Sequence, residues 1–181
     1  MTRYIAFLRA VNVGGHTVKM EMLRPLFAEL DLSNVETFIA SGNVIFESRL
    51  QDTPELEAQI QVKLRASLGY EVATFLRTDL EVAAIANYQP FSEPKLAAAA
   101  ALNVAFLNES PSEQSFQKLM SLITEIDDFH MHQREIYWLC KKKQSESTFS
   151  NVVLEKTLGR QSTLRGINTI RKLAEKYPPA T

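Results

Sequence analysis

Two short runs rich in β-branched and aromatic residues, Val35-Glu36-Thr37-Phe38-Ile39-Ala40 and Val44-Ile45-Phe46-Glu47, are separated only by Ser41-Gly42-Asn43. Runs that close together, joined by residues that accept left-handed backbone, predict an antiparallel hairpin. An isolated hairpin is marginal in water, so further strands or a helix must complete it. Tyr4-Ile5-Ala6-Phe7-Leu8 is short and apolar, which suits a strand buried on both faces. Between that strand and the hairpin, Met20, Leu23, Phe27 and Leu30 recur at helical spacing, with Pro25 expected in the first turn or at a kink. Beyond the hairpin, Thr53-Pro54-Glu55 supplies an N-cap, a proline at the first helical position and an early acid. Leu56, Ile60, Leu64 and Leu68 form the stripe of this helix, which Gly69 ends, and Val72 to Leu76 is a further strand. The first half therefore reads β-α-β-β-α-β.

The second half repeats that order. Residues 79 to 101 are less regular: Asp79 to Ala86 reads as a short helix, Pro90 and Pro94 punctuate a connection, and Ala97 to Ala101 is an alanine run. Leu102 to Leu107 is a strand, and Ser110-Pro111-Ser112-Glu113 opens a helix carrying Phe116, Leu119, Met120 and Ile123. Asp127 to His132 and Glu135 to Cys140 form a second hairpin around Gln133-Arg134. Phe149, Val152, Val153 and Lys156 belong to a helix closed by Gly159, and a short extended stretch, Gln161 to Leu164, precedes a last helix with Ile170, Leu173 and Ala174. The expected fold class is α+β. It comprises two split βαβ plaits, residues 1–78 and 102–181, with a connection over 79–101 and an extra C-terminal helix.

Composition narrows the function. With 45% hydrophobic and 23% charged residues in 181, the chain has the make-up of an ordinary globular protein, and a net charge of -1 gives no global attraction to nucleic acid or anionic membranes. From Arg134 onward ten basic residues face four acidic ones, so the last quarter is basic and the rest acidic. Cys140 is the sole cysteine, which excludes an intrachain disulfide and a cysteine-based zinc site and fits a reducing compartment. The apolar run at Tyr4 is too short for a signal sequence, and no later run approaches membrane-spanning length. A cytoplasmic protein is expected, with no membrane partner and no cofactor.

Candidate chemistry gathers at the turns. Arg9-Ala10-Val11-Asn12-Val13-Gly14-Gly15 is a glycine-containing stretch ahead of a helix, suited to a phosphate or carboxylate with Arg9 and Lys19 as charge partners. It lacks the spacings of dinucleotide and P-loop motifs. Ser41 has no base nominated for it and no G-x-S-x-G context. Asp128, His130 and His132 alternate and would share one face of a strand, but no further ligand is nominated, and a solvated polar face is the simpler reading; no metal site is assigned. Lys141-Lys142-Lys143 reads as a solvated loop. Phe7, Phe38, Phe46, Tyr137 and Trp138 lie on strands and could stack on bases, yet helices must cover one face and no RNP1-type string is present.

Several of these stretches together resemble a known family. Tyr4 to Gly15, Met20 with Leu23-Arg24, and Val35 to Phe46 are similar to the opening of the DUF1697 family, whose pattern reads approximately L-R-G-I-N-V-G-G, M-x-x-L-R and V-x-T-Y-x-x-S-G-N-V-x-F. Arg134 to Tyr137, Leu158-Gly159, Thr163 to Thr169 and Lys172-Leu173 resemble its second half. Ala10 stands where that pattern has glycine, Phe38 where it has tyrosine, and Gly166-Ile167 where it has Asn-Trp. The resemblance implies a bacterial protein of unknown function with a duplicated ferredoxin-like plait, two βαββαβ units. From residues and resemblance together, the expected function is binding of a small anionic or polar ligand without catalysis. The expected ligand-binding residues are Arg9, Asn12, Gly14, Gly15, Ser41, Asn43, Arg165, Asn168 and Thr169. An enzyme acting on a phosphorylated or carboxylated metabolite, a nucleic-acid module and a protein-interaction domain are the alternatives.

Overall fold

The computed structural model describes residues 1–11, 15, 17–39 and 42–180, and its chain divides into two units, Met1–Ala84 with Leu173–Thr181, and Ile85–Lys172. The first unit begins with β1 (Thr2–Leu8), α1 (Met20–Ala28), β2 (Ser33–Phe38), β3 (Asn43–Ser48), α2 (Thr53–Leu68) and β4 (Thr74–Thr78). Two short helices follow, α3 (Asp79–Asn87) and α4 (Glu93–Ala97). Then come β5 (Ala101–Phe106), α5 (Glu113–Met120), β6 (Asp127–His132), β7 (Glu135–Cys140), α6 (Asn151–Leu158), β8 (Thr163–Gly166) and α7 (Ile167–Lys176). The chain is α+β, with two four-stranded antiparallel sheets ordered β2-β3-β1-β4 and β6-β7-β5-β8.

Alternation along β1 divides its side chains between two faces. Tyr4, Ala6 and Leu8 join Val44, Phe46 and Leu76 in a core with Leu23 and Phe27 of α1 and Leu56, Ile60 and Leu64 of α2. Ile5 and Phe7, on the other face, are also fully buried, so the continuous apolar run is explained by burial on both faces. In the second unit the helix-covered face of the sheet carries Ala105, Phe129, Ile136 and Trp138, packed with Leu119, Phe149, Leu154 and Leu158. Trp138 is edge-on to Phe149 at 4.9 Å, and its indole N–H donates to Asp127 at 2.8 Å.

The two sheets agree in register as well as in order. Ile5 faces Ile45 on one side and Arg77 on the other, and Val104 faces Tyr137 and Arg165 in the same way. Arg77 and Arg165 are both buried, and each donates from Nη1 to the carbonyl of the residue before it, Leu76 at 2.7 Å and Leu164 at 2.8 Å.

Local corrections concern element ends. The cap of α2 is Asp52 rather than Thr53: its carboxylate accepts the Glu55 N–H at 3.0 Å, and aspartate is the stronger capping acceptor. Helix α5 starts from Ser112, whose Oγ accepts the Ser115 N–H, while Ser110 donates to the Gln133 carbonyl. It stops at Met120, leaving Ile123 outside and exposed. Pro25 lies in the second turn of α1. Strand β2 ends at Phe38, and Ile39 turns with a φ of 51°, so the connection to β3 is longer than three residues.

Candidate functional site

Arg9, Asn12, Gly14, Gly15, Ser41 and Asn43 were expected to form the first half's part of a site. Asn12, Gly14 and Ser41 lie outside the described residues. Arg9 and Asn43 sit at one end of the first sheet, because β1 and β3 pair antiparallel with Phe7 opposite Asn43. The Leu8 N–H donates to Gly42 O at 2.8 Å, and the Arg9 N–H to Ala73 O at 2.9 Å. Gly42 has a φ of 74°, and a Cβ there would stand 3.3 Å from both Cβ and O of Leu8. Glycine is thus required twice over at this crossing of turns. The Val11 carbonyl accepts from the Tyr70 hydroxyl at 3.0 Å. Asn43 is completely buried as the first residue of β3, and its amide donates across the hairpin to Phe38 O at 3.1 Å. Gly15 is exposed with a φ of 85°, and the Arg9 side chain is half-buried. Ala10 takes a φ of 58°, a left-handed conformation for a residue with a Cβ.

Arg165, Asn168 and Thr169 were expected to act in the second half. Arg165, in β8, is buried, and its Nη1 donates to Thr163 Oγ1 at 2.9 Å besides Leu164 O. Burial pushes its pKa down to about 10, which leaves the guanidinium charged at neutral pH. Asn168 and Thr169 lie in the first turn of α7 and line a cleft of about 370 Å3, which Arg165 does not line. The alanine run Ala99–Ala101 forms another side, Leu96, Leu102 and Ile167 add apolar surface, and Asn103, Gly166 and Arg171 complete the lining.

Asn103 is the residue that sequence reasoning missed. It is 7% exposed, and its amide nitrogen is buried with no hydrogen-bond partner among the described residues. Leaving a buried donor unmatched costs about 1–3 kcal/mol, so such a group calls for an acceptor. A signal was available: Asn103 is the one strongly polar residue in the otherwise apolar stretch Leu102 to Leu107. Gly166 stands opposite Asn103 across the β5-β8 pair, and a Cβ placed on it would lie 3.8 Å from Asn103 Oδ1 with nothing else within 4 Å. Strand β8 runs straight into α7 there, so the residue before the helix has no side chain with which to cap it. The first N–H groups of a helix lack intrahelical partners, and they carry the positive end of its dipole.

Asp128, His130 and His132 share a face of β6 as predicted, and nearby side chains engage each of them. His130 shares a 2.8 Å hydrogen bond with Tyr88, His132 stacks on the Tyr88 ring at 4.0 Å, and Asp128 pairs with Lys95 at 2.6 Å. Desolvation first, then the neighbouring His132, pulls the His130 pKa below its ordinary value, with Asp128 opposing. Among the described residues no group of three His, Cys, Asp or Glu side chains could hold a metal ion. Lys141, Lys142 and Lys143 are exposed, as a solvated loop requires. No helix of the described residues is long and apolar enough to cross a membrane.

Fold and cleft define an α+β protein built on two antiparallel sheets, with a donor-lined hollow at the start of its last helix. The chain belongs to the family described as "Protein of unknown function (DUF1697)", whose profile matches residues 1–137, so the α7 side of the cleft lies beyond the matched stretch. The fold is similar to that of the conserved bacterial protein SP0830 from Streptococcus pneumoniae, with a TM-score of 0.79 and 22% sequence identity over 99% of each chain. At that identity the likeness concerns the fold. A comparison with curated proteins returned no match.

Proposed function

We propose that this chain is a non-catalytic binding domain for a small anionic or polar ligand. The observation that carries the reading is the cleft of the second unit, where the unmatched amide of Asn103 is buried beside the open start of α7. Two of the expected residues, Asn168 and Thr169, line it, and Arg171 adds a positive charge. Arg165, also expected, is buried and is not part of the lining. No acid, histidine, cysteine or lysine stands among the described residues of the lining, so the hollow offers donors for an anion rather than an acid-base pair. In the first unit, Arg9 and Gly15 are read as groups serving the same kind of ligand, while Asn12, Gly14 and Ser41 lie outside the described residues and the buried Asn43 is engaged at Phe38.

Two finer readings accompany this one. The shared strand order and the matched positions of Arg77 and Arg165 support a duplicated ferredoxin-like plait. A cytoplasmic bacterial protein is favoured by the lone buried thiol of Cys140 and by the likeness to a bacterial protein.

The test is thermal denaturation of the full chain against a panel of phosphate, sulfate, acetate and citrate. At least one anion should raise Tm in a saturable way, since a ligand that binds only the folded state stabilises it. Asn103→Leu should remove that rise. A flat response to every anion, or a rise unchanged in Asn103→Leu, would overturn the proposal.

A further inference from the structure

The alternating residues Asp128, His130 and His132 of β6 are all engaged by one segment of the chain, residues 88 to 95. We infer that this segment is a strap that lifts from the second sheet when His130 and His132 take up protons, a device independent of the cleft beside α7. Its anchors follow β6 in reverse order. Tyr88 shares a 2.8 Å hydrogen bond with His130 Nε2 and lies on His132 at 4.0 Å, with the two rings within 12° of parallel. Phe91 approaches His130 edge-on at 6.1 Å, and Lys95 closes the series on Asp128 at 2.6 Å. Tyr137, opposite His130 on β7, is fully buried 5.3 Å from the Tyr88 ring, on the other face of the sheet from Ile136 and Trp138. Side chains alone make this attachment. The backbone N–H groups of Tyr88, Leu96, Ala98 and Ala99 bond to carbonyls between Ile85 and Leu96, and among the described residues the first backbone bond to the sheet is Ala100 N–H to Cys140 O at 2.9 Å.

Such imidazoles hold the strap best while they are neutral. Neutral His130 leaves Nε2 free to accept the Tyr88 hydroxyl, whereas an imidazolium carries a proton on both nitrogens and accepts nothing. The two histidines stand two residues apart on one strand face, so protonating both sets like charges about 7 Å apart. Half-buried under Tyr88 and Phe91, they are also short of the water that would screen those charges. Desolvation first, and then His132, holds the His130 pKa below its ordinary 6.5. Other charges act on the pair. Asp128 favours the protonated form, but its carboxylate is shared with Lys95, and Glu135, opposite His132 on β7, is a buried acid, while Glu93 of α4 is exposed. The face of the Tyr88 ring attracts a cation on His132, which works against release, so His130 decides it. A histidine with a depressed pKa favours the closed form fully above its ordinary value, and that contribution is lost as pH falls from there through the lower value of the closed form. The strap is therefore closed at neutral pH and opens in acid. The Lys95–Asp128 pair contains no imidazole, so Tyr88 and Phe91 are the part that lets go.

The experiment follows the full chain, labelled with nitrogen-15 and carbon-13, by NMR from roughly pH 7.5 to 5, the range in which histidine titrates. Nuclear Overhauser contacts between the rings of Tyr88 and His132 should be present at the upper end and lost at the lower, in step with protonation of His130. A neutral soluble paramagnetic agent should reach the Phe91 ring in acid and not at neutral pH, while the amides of β5 and β7 stay protected from exchange throughout. His130→Gln combined with His132→Phe keeps an acceptor and a stacking ring but removes both titrating groups. That double variant should hold the contact between Tyr88 and the side chain at 132 down to the acid end. Contacts that persist in wild type once both histidines are protonated would overturn the inference. Protection lost in β5 and β7 together with the strap would also overturn it, because the acid change would then be global unfolding. So would a double variant that opens at the same pH as wild type. The wild-type titration decides the matter even if the double variant fails to fold.

Discussion

At the scale of single residues, the backbone at Ala10 and the side chain at Asn103 are each at odds with their chemistry. Ala10 holds a φ of 58°, where a Cβ crowds the following carbonyl. Glycine avoids that contact, although it gives up more freedom on folding. Ala10→Gly should therefore raise stability by up to about 1 kcal/mol, read as a higher urea midpoint with an unchanged m-value. A lower midpoint would mean that neighbouring contacts pay more for the Cβ than the turn loses. Neither residue could be judged from its local string. A strand pattern places Asn103 between apolar neighbours, but whether its amide finds an acceptor depends on what β8 and α7 bring alongside. Asn43 shows the reverse: it reads as a turn residue, yet it is buried in β3 and spends its amide on closing the hairpin at Phe38.

At the scale of elements, the closing stretch of α7 supplies a pH-dependent attachment inside the first unit. The Tyr177 hydroxyl donates to Glu36 of β2 at 2.7 Å, its ring meets Phe38 edge-on at 6.4 Å, and Lys176 lies 3.5 Å from the same carboxylate. Chiefly through the tyrosine hydroxyl, and with Lys176 helping against the cost of burial, the Glu36 pKa is held below its ordinary 4.5. A depressed carboxylate pKa contributes stability that is present above the unfolded value and lost as pH falls through the folded one. Tyr177→Phe should then melt below wild type at neutral pH, and the gap should close as the pH drops below 4.5. Melting curves over roughly pH 3 to 7 would show it, and a gap independent of pH would assign the loss to packing alone. Glu36 is half-exposed, so the effect is small. Element order was legible in advance because periods of two and of 3.6 residues are properties of the chain itself. Ends were less so: the choice between Asp52 and Thr53 as cap, or the stop of α5 before Ile123, is decided by which side chain reaches an open N–H and by what the next turn packs on.

At the scale of the whole molecule, the chain leaves its first unit and later comes back to it. The boundary falls inside α7, between Lys172 and Leu173, and Leu173 and Tyr177 are both buried. Ending the chain at Lys172 would remove two buried apolar side chains, at a cost of about 3–6 kcal/mol, since burying each contributes about 1.5–3 kcal/mol. That should lower Tm by on the order of 10 °C, with amide protection lost in β2 and retained across β6 and β7. Unchanged protection in β2 would show that the returning segment is dispensable. The return also sets a timetable for synthesis. Strand β2 is an edge of its sheet, and Glu36 and Phe38 on it await Tyr177. At about 5–20 residues per second, roughly 5–20 s separate the making of β4 from the making of Tyr177. Throughout that interval the nascent protein shows an unfinished border to the crowded surroundings of the ribosome, which makes β2 the place where a chaperone, or a second nascent copy, would meet it first.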